Sequence, residues 1–127
     1  MNTNFKIALA VIAGIGVGAA AVQGLQAQAK PKAYVVGEYE VLDNAALATY
    51  FQIVRPVIRA AGGRTLNIAG GRIIPITGEA PKNVTIIEYD SVDQVQSFLN
   101  SPAYTNMSSQ REKAERFTRS YIVEAAQ

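Results

Sequence analysis

The sequence predicts an α+β domain of element order β-α-β-β-α-β, with helices on one face of a four-stranded antiparallel sheet. Two observations carry this prediction. Val- and Tyr-rich runs with strand character occupy residues 32–41 and 84–89. Apolar residues recur at helical spacing after each run, and a further strand-like segment, SYIVEA, closes the chain. This order is the ferredoxin-like arrangement.

The first strand and helix have clear boundaries. KAYVVGEYEV (32–41) alternates with period two, which places Tyr34, Val36 and Glu38 on one face of the strand. Asp43 is a suitable N-cap for the helix that follows, and the pair of glycines at 62–63 ends it. Pro56 lies inside this helix and is expected to bend it, because proline donates no amide hydrogen bond.

The second half repeats the pattern. RTLNI (64–68) is the second strand and VTIIEY (84–89) the third. Ser91 caps a short helix, and Ser101 with Pro102 restarts a second one. Apolar residues and one arginine align along the restarted helix: Tyr104, Met107, Arg111, Ala114 and Phe117. The mixed charges of SSQREKAERFTR (108–119) are interpreted as its solvated face.

Because the helices cover one face of the sheet, the other face must meet water, a ligand or a second subunit. Period two places six residues on this open face: Tyr34, Val36, Glu38, Val84, Ile86 and Glu88. Such a face is too apolar to remain hydrated and too charged for an ordinary core. Two sheets packed face to face would cover it, so the sequence predicts a homodimer.

The N-terminal residues have the three parts of a secretory signal peptide: a polar start with one lysine, an apolar run over 7–22, and an A-x-A site at Ala27 and Ala29. The expected organisation is a signal peptide over 1–29 and one domain over 30–127. The protein is therefore expected to be bacterial and exported, periplasmic or secreted, with no membrane contact after cleavage. An uncleaved N-terminal membrane anchor is the alternative.

Several function classes are disfavoured. Gly14-x-Gly16-x-x-Ala19 matches a dinucleotide-binding fingerprint, but the strand and helix that would confirm it are absent around it, so no such cofactor is expected. The chain contains no Cys and no His, which removes the usual metal ligands and excludes disulfides. A net charge of +2 is too small for a nucleic-acid-binding surface. No metal site, cofactor or nucleic-acid partner is expected.

Four segments together resemble one family. KAYVVGEYEV, AAGGR, VTIIEYDSVDQVQSF and NSPAYTNMSSQR occur in that order, and the mature chain is similar over about 32–124 to domain-of-unknown-function family 1330. The resemblance implies a ferredoxin-like monomer of the dimeric α/β-barrel superfamily, whose sheets pair around a pocket. Family members commonly have Glu-Phe-Pro where this chain has Glu88-Tyr89-Asp90, and an aromatic pair where it has Phe98-Leu99. The family has no agreed activity, and the fold alone does not select one.

Glu38 and Glu88 are the candidate catalytic residues. They lie on the first and third strands, which are neighbours in this fold, so the carboxylates are expected to approach each other. Two like charges held close raise one pKa, and this separates an acid from a base. The alternative is that each carboxylate pairs with an arginine such as Arg64 or lies at a hydrated rim.

The candidate ligand-binding residues are tyrosines and arginines: Tyr34, Tyr39, Arg64, Tyr104 and Arg111. The tyrosines would donate hydrogen bonds into a pocket, or else pack in the core or an interface. Arg111 interrupts an apolar helical stripe and suggests an anionic partner. The alternative interpretation of Arg111 is that its aliphatic stem packs on the core while its guanidinium lies in solvent.

Three functions remain open. The first is a protein that encloses a small organic ligand. The second is a cofactor-independent isomerase or monooxygenase-like enzyme that uses a barrel carboxylate as acid and base. The third is a purely structural dimer with a filled interface. A cavity walled by both carboxylates favours the enzyme, and an apolar cavity distant from them favours the binding protein.

Overall fold

In the computed structural model, which describes residues 29–66 and 70–127, two long strands form the middle of the sheet. β1 (Ala33–Val41) pairs antiparallel with β3 (Asn83–Tyr89) on one side and with β4 (Glu115–Glu124) on the other. A short β2 (Arg64–Thr65) extends β3. The strand order β2-β3-β1-β4 confirms the α+β, ferredoxin-like prediction. The expected signal peptide lies outside the described residues except for Ala29.

The first helix begins and ends as its sequence signals predict. α1 spans Asn44–Ala60, and the Asp43 carboxylate accepts a hydrogen bond of 2.8 Å from the amide of Ala46. Its buried stripe of Tyr50, Val54 and Ile58 packs towards the sheet. Pro56 lies within the helix, which continues to Ala60. In the described ranges no helix is long and apolar enough to cross a membrane.

Three shorter helices follow β3. α2 (Val92–Leu99) is capped by the Ser91 hydroxyl, which accepts from the amide of Gln94 at 3.2 Å. α3 (Pro102–Thr105) begins with a proline, and α4 (Ser108–Ala114) leads directly into β4. Together α1 to α4 cover one face of the sheet and enclose the core.

Gly63 marks where α1 turns back onto the sheet. A Cβ at this position would lie 2.7 Å from the Tyr89 ring and 2.7 Å from a methyl carbon of Ile58. Only glycine lets the chain pass this closely to the buried Tyr89. The turn thus holds α1 against the end of β3.

Three element boundaries differ from the sequence prediction. The restarted helix ends at Ala114 rather than continuing to Phe117, and β4 begins at Glu115, well before SYIVEA. The helical spacing of Ala114 and Phe117 was coincidental, because the backbone is already extended at Glu115. The second strand covers only Arg64–Thr65, although Leu66 still donates to the Ile86 carbonyl. Residues 67–69 lie outside the described ranges.

Candidate functional site

The alternation of β1 divides the candidate residues between two faces of the sheet. Val35, Gly37 and Tyr39 face the helices, whereas Tyr34, Val36 and Glu38 face the opposite side. The same division holds on β3, where Ile87 and Tyr89 are buried beneath the helices. We refer to these as the helix face and the open face.

Charges on the open face are neutralised in pairs. The Arg119 guanidinium donates to both Glu38 carboxylate oxygens, at 2.5 and 3.0 Å. Lys32 donates to Glu88 at 2.7 Å, and Arg64 contacts the same carboxylate oxygen. The hydrogen bond from Lys32 is the main cause of the lowered pKa of Glu88. Both carboxylates therefore have structural partners.

Glu38 and Glu88 are not brought together. Glu38 lies opposite Val84 and Glu88 lies opposite Tyr34, so the two carboxylates are four positions apart along the strands. This separation is about 13 Å. The expected approach of the two carboxylates is therefore wrong, because neighbouring strands place them at different registers. The acid–base role assigned to them from the sequence stays a prediction.

A cavity of about 520 Å³ lies on the helix face, between the sheet and the helices. Aromatic side chains from the three long strands and from α1, α2 and α3 line it: Tyr39, Tyr50, Phe51, Tyr89, Phe98, Tyr104 and Phe117. Phe117 and Ile122 line the β4 side and remain 38% and 37% exposed. The cavity therefore opens to solvent along β4, and its walls suit a flat apolar molecule.

Glu115 is the carboxyl group of this cavity. It is 6% exposed, lines the cavity, and forms no hydrogen bond or ion pair with the described residues. Burial raises its pKa to about 7, and the nearby charge of Arg111 partly opposes that rise. A carboxyl with this pKa exchanges its proton close to neutral pH, which suits a general acid or base.

Arg111 lies one helical turn before Glu115 and lines the same cavity. Its guanidinium carbon is 5.0 Å from the centroid of the Tyr104 ring, at cation–π distance. The Nη1 atom is buried and has no hydrogen-bond partner among the described residues. The cavity thus holds one permanent positive charge close to one titratable carboxyl.

Two tyrosines next to Glu115 stay protonated over the physiological range. Burial, and less strongly the Glu115 charge, raise the pKa of Tyr39. Burial is also the main cause that raises the pKa of Tyr50 to about 12. These hydroxyl groups are therefore hydrogen-bond donors rather than bases at neutral pH. Glu115 is the proton acceptor that this wall offers.

The ligand-binding residues expected from the sequence divide between the faces. Tyr39, Tyr104 and Arg111 line the cavity. Tyr34 lies on the open face, and Arg64 pairs there with Glu88, as the alternative interpretation stated. In the described ranges no cluster of three acidic side chains could hold a metal ion.

Sequence reasoning missed Glu115 because it lies within a mixed-charge segment interpreted as a solvated helical face. That interpretation is wrong at this residue, since the helix has ended and the strand turns Glu115 inward. Alternation along β4 does not reveal it either. The pairing with β1 shifts register between Glu38 and Tyr39, so Phe117 shares the helix face with Ser120 and Ile122.

Comparisons with known proteins agree with this fold. The family model described as domain of unknown function (DUF1330) matches residues 32–126. A protein of unknown function from Rhodopseudomonas palustris has a crystal structure with a TM-score of 0.62 and 18% identity, covering 84% of this chain and 92% of its own. SnoaB, a cofactor-independent oxygenase from Streptomyces nogalater, has a TM-score of 0.56 and 13% identity, covering 76% and 95%. No curated protein is significantly similar in sequence.

Proposed function

This chain belongs to the DUF1330 family, with the fold of the dimeric α/β-barrel superfamily, and we propose that it encloses a small, mainly aromatic organic molecule in the helix-face cavity. The observation that carries this proposal is the cavity of about 520 Å³ with its aromatic walls. Pockets for small organic ligands usually measure about 300–1,000 Å³ and combine apolar walls with a few polar groups.

The position of the cavity favours a binding site over a purely structural interior. Neither Glu38 nor Glu88 lines the cavity. An apolar cavity without these two carboxylates favours a binding protein. Its two charged residues, Arg111 and Glu115, provide the few polar contacts that orient a ligand. The fold itself also occurs in a cofactor-independent oxygenase, which makes an enzyme the second candidate function without identifying its reaction.

We propose that two copies pair through the open face. Val36, Val84 and Ile86 form an apolar strip at its centre, and Tyr121 and Val123 on β4 are 47% and 46% exposed. Burying such a strip against a second copy would remove apolar surface from water. The proposed unit is therefore a homodimer with one cavity on each outer side of the paired sheets.

The signal-peptide pattern supports the further proposal that the domain acts outside the cytoplasm, as a mature chain beginning at Lys30. Intact mass spectrometry of protein from the exported fraction tests this directly. A mass that begins at Lys30 supports cleavage, and a mass that includes Met1 contradicts it.

Native mass spectrometry of the same material tests ligand binding. We expect a dimer with an added small-molecule mass, and we expect Leu99→Trp to lose that mass because Leu99 lines the cavity. Leu42→Trp is the matched control, since Leu42 is exposed and does not line the cavity. Wild-type protein without added mass that also fails to bind β-tetralone, a bicyclic aromatic ketone, would contradict the proposal.

A further inference from the structure

We propose that Glu115 accepts and returns a proton on the molecule in the helix-face cavity, that Arg111 stabilises the anion formed, and that the substrate is a neutral, enolisable aromatic or cyclic ketone. This inference rests on the proposed ligand-binding function and assigns it a reaction, an isomerisation by proton transfer. Cofactor, metal ion and oxidant are not needed for such a step.

The state of Glu115 is the first argument. A buried carboxyl without a hydrogen-bond or ion-pair partner costs folding free energy, and this cost is typical of sites kept for chemistry. Glu38, Glu40 and Glu88 all have basic partners, whereas Glu115 has none in the described ranges although Arg111 is one turn away. Glu115 and Arg111 both line the cavity.

The charges of this pair identify the substrate class. A ligand with a permanent negative charge would be attracted by Arg111 and repelled by ionised Glu115, and a cationic ligand would meet the opposite pattern. A neutral ketone avoids both repulsions when it binds. It becomes an anion only after Glu115 has taken its proton, when the positive charge of Arg111 is no longer balanced. The aromatic walls accept a flat ring.

The step balances within the protein and its substrate. A carboxylate oxygen of Glu115 takes the proton from the carbon next to the carbonyl group. The C–H electron pair forms a carbon–carbon double bond, and the carbonyl π electrons move to the oxygen, which faces Arg111. Where the ketone has a carbon–carbon double bond in the β,γ position, the enolate extends over that bond. Glu115 then returns the proton to the γ-carbon, so the product is the conjugated isomer and Glu115 is regenerated.

The pH dependence follows from the groups that face Glu115, which are Tyr39 on β1, Tyr50 on α1 and Arg111 on α4. Neither tyrosine ionises near neutral pH, because burial raises the pKa of both. The base must be ionised before it accepts a proton. The rate should therefore rise with pH through about 7, the pKa of Glu115, and become constant above it.

The test is proton exchange at the α-carbon of β-tetralone in heavy water, followed by NMR. The same samples report binding through saturation transfer from the protein to the ketone. Glu115→Gln keeps the side-chain shape and removes the base. Glu112→Gln is the matched control, because Glu112 is an exposed glutamate of α4, the helix that leads into β4 and Glu115.

We expect wild-type protein and Glu112→Gln to accelerate proton exchange equally. Glu115→Gln should still bind β-tetralone, but its exchange rate should be lower by about tenfold or more. Binding without acceleration, or equal rates in wild type and Glu115→Gln, would overturn the proton-transfer inference and leave the binding function standing. Absence of binding by wild-type protein would contradict both. If Glu115→Gln fails to fold, a wild-type rate that does not vary between pH 5 and 9 overturns the inference.

Discussion

The two faces of the sheet treat their glutamates in opposite ways. On the open face Glu38, Glu40 and Glu88 each have a basic partner, and water reaches most of those partners. On the helix face Glu115 is buried in an aromatic cavity with no ion-pair partner among the described residues. The difference is that the open-face carboxylates are held in ion pairs, whereas the cavity carboxyl forms none with the described residues.

The largest effects are expected from one new charge placed on each face of the sheet. Val54→Asp puts a carboxylate into the buried stripe of α1, away from water, and should lower the free energy of unfolding by about 3 kcal/mol or more. Val36→Asp places the same carboxylate on the open face, between Ile86 and Tyr121. It should leave the monomer folded and abolish the dimer.

Urea unfolding and light scattering after gel filtration measure both effects. A Val54→Asp protein as stable as wild type would mean that the helix face is hydrated. A Val36→Asp protein that remains dimeric would mean that the open face is not the interface.

A second prediction concerns pH and the stability of the unliganded protein. Folded Glu115 keeps its proton up to about pH 7, whereas the unfolded chain loses it near about pH 4.3. The folded state therefore binds more protons between these values, and the free energy of unfolding should fall as pH rises through them. After allowance for solvent screening, the contribution of Glu115 to this fall is about 2 kcal/mol.

Urea unfolding at pH 5 and pH 8 measures this contribution. The Glu115→Gln protein has no charge to bury at this position. Its free energy of unfolding should therefore fall between pH 5 and pH 8 by about 2 kcal/mol less than that of the wild-type protein. Glu112→Gln controls for the loss of one surface charge. Equal pH dependence in wild type and Glu115→Gln would contradict the burial of an unpartnered carboxyl.

A third prediction concerns the mouth of the cavity. Ser120 lines the cavity and is exposed, so Ser120→Trp should narrow the opening along β4 and weaken β-tetralone binding by about tenfold. Thr118, next to the register shift, donates to the Glu38 carbonyl and does not line the cavity, which makes Thr118→Trp the control. Isothermal titration calorimetry measures both affinities. Equal weakening by the two substitutions would place the opening elsewhere.

The smallest effect is expected at the exposed pairs of the open face. Arg116 and Lys82 both contact Glu40, and these contacts lower its pKa. The three side chains are accessible to water in the single chain and lie beyond the apolar strip proposed as the dimer contact. Arg116→Ala should therefore shift the thermal unfolding midpoint less than Glu115→Gln does. Differential scanning calorimetry at pH 8 compares them. A larger shift for Arg116→Ala would show that the open-face pairs contribute more to stability than their exposure suggests.

Much of the fold follows from local sequence signals. Alternation in 32–41 assigns Tyr39 and Glu38 to opposite faces, and Asp43 and Ser91 mark helix starts that the structure shows. These predictions succeed because strand period and capping depend on residues a few positions apart. The same signals gave the order of the elements and hence the sheet topology.

The site was harder to predict because it depends on contacts between distant segments. Periodicity places Glu38 and Glu88 on one face but does not give the register that separates them. The burial of Glu115 could not be predicted because Arg111, Ala114 and Phe117 also have helical spacing. That spacing predicts a helix that continues through the first residues of β4. Only the packed structure shows that this carboxyl turns into a cavity.

A carboxyl-carbon NMR titration of protein labelled with ¹³C at glutamate measures the ionisation of Glu115 directly. We expect one resonance that titrates at about pH 7, is absent from Glu115→Gln, and remains in Glu112→Gln. Titration of every glutamate below about pH 5, as in unperturbed side chains, would contradict it and remove the basis for assigning chemistry to Glu115.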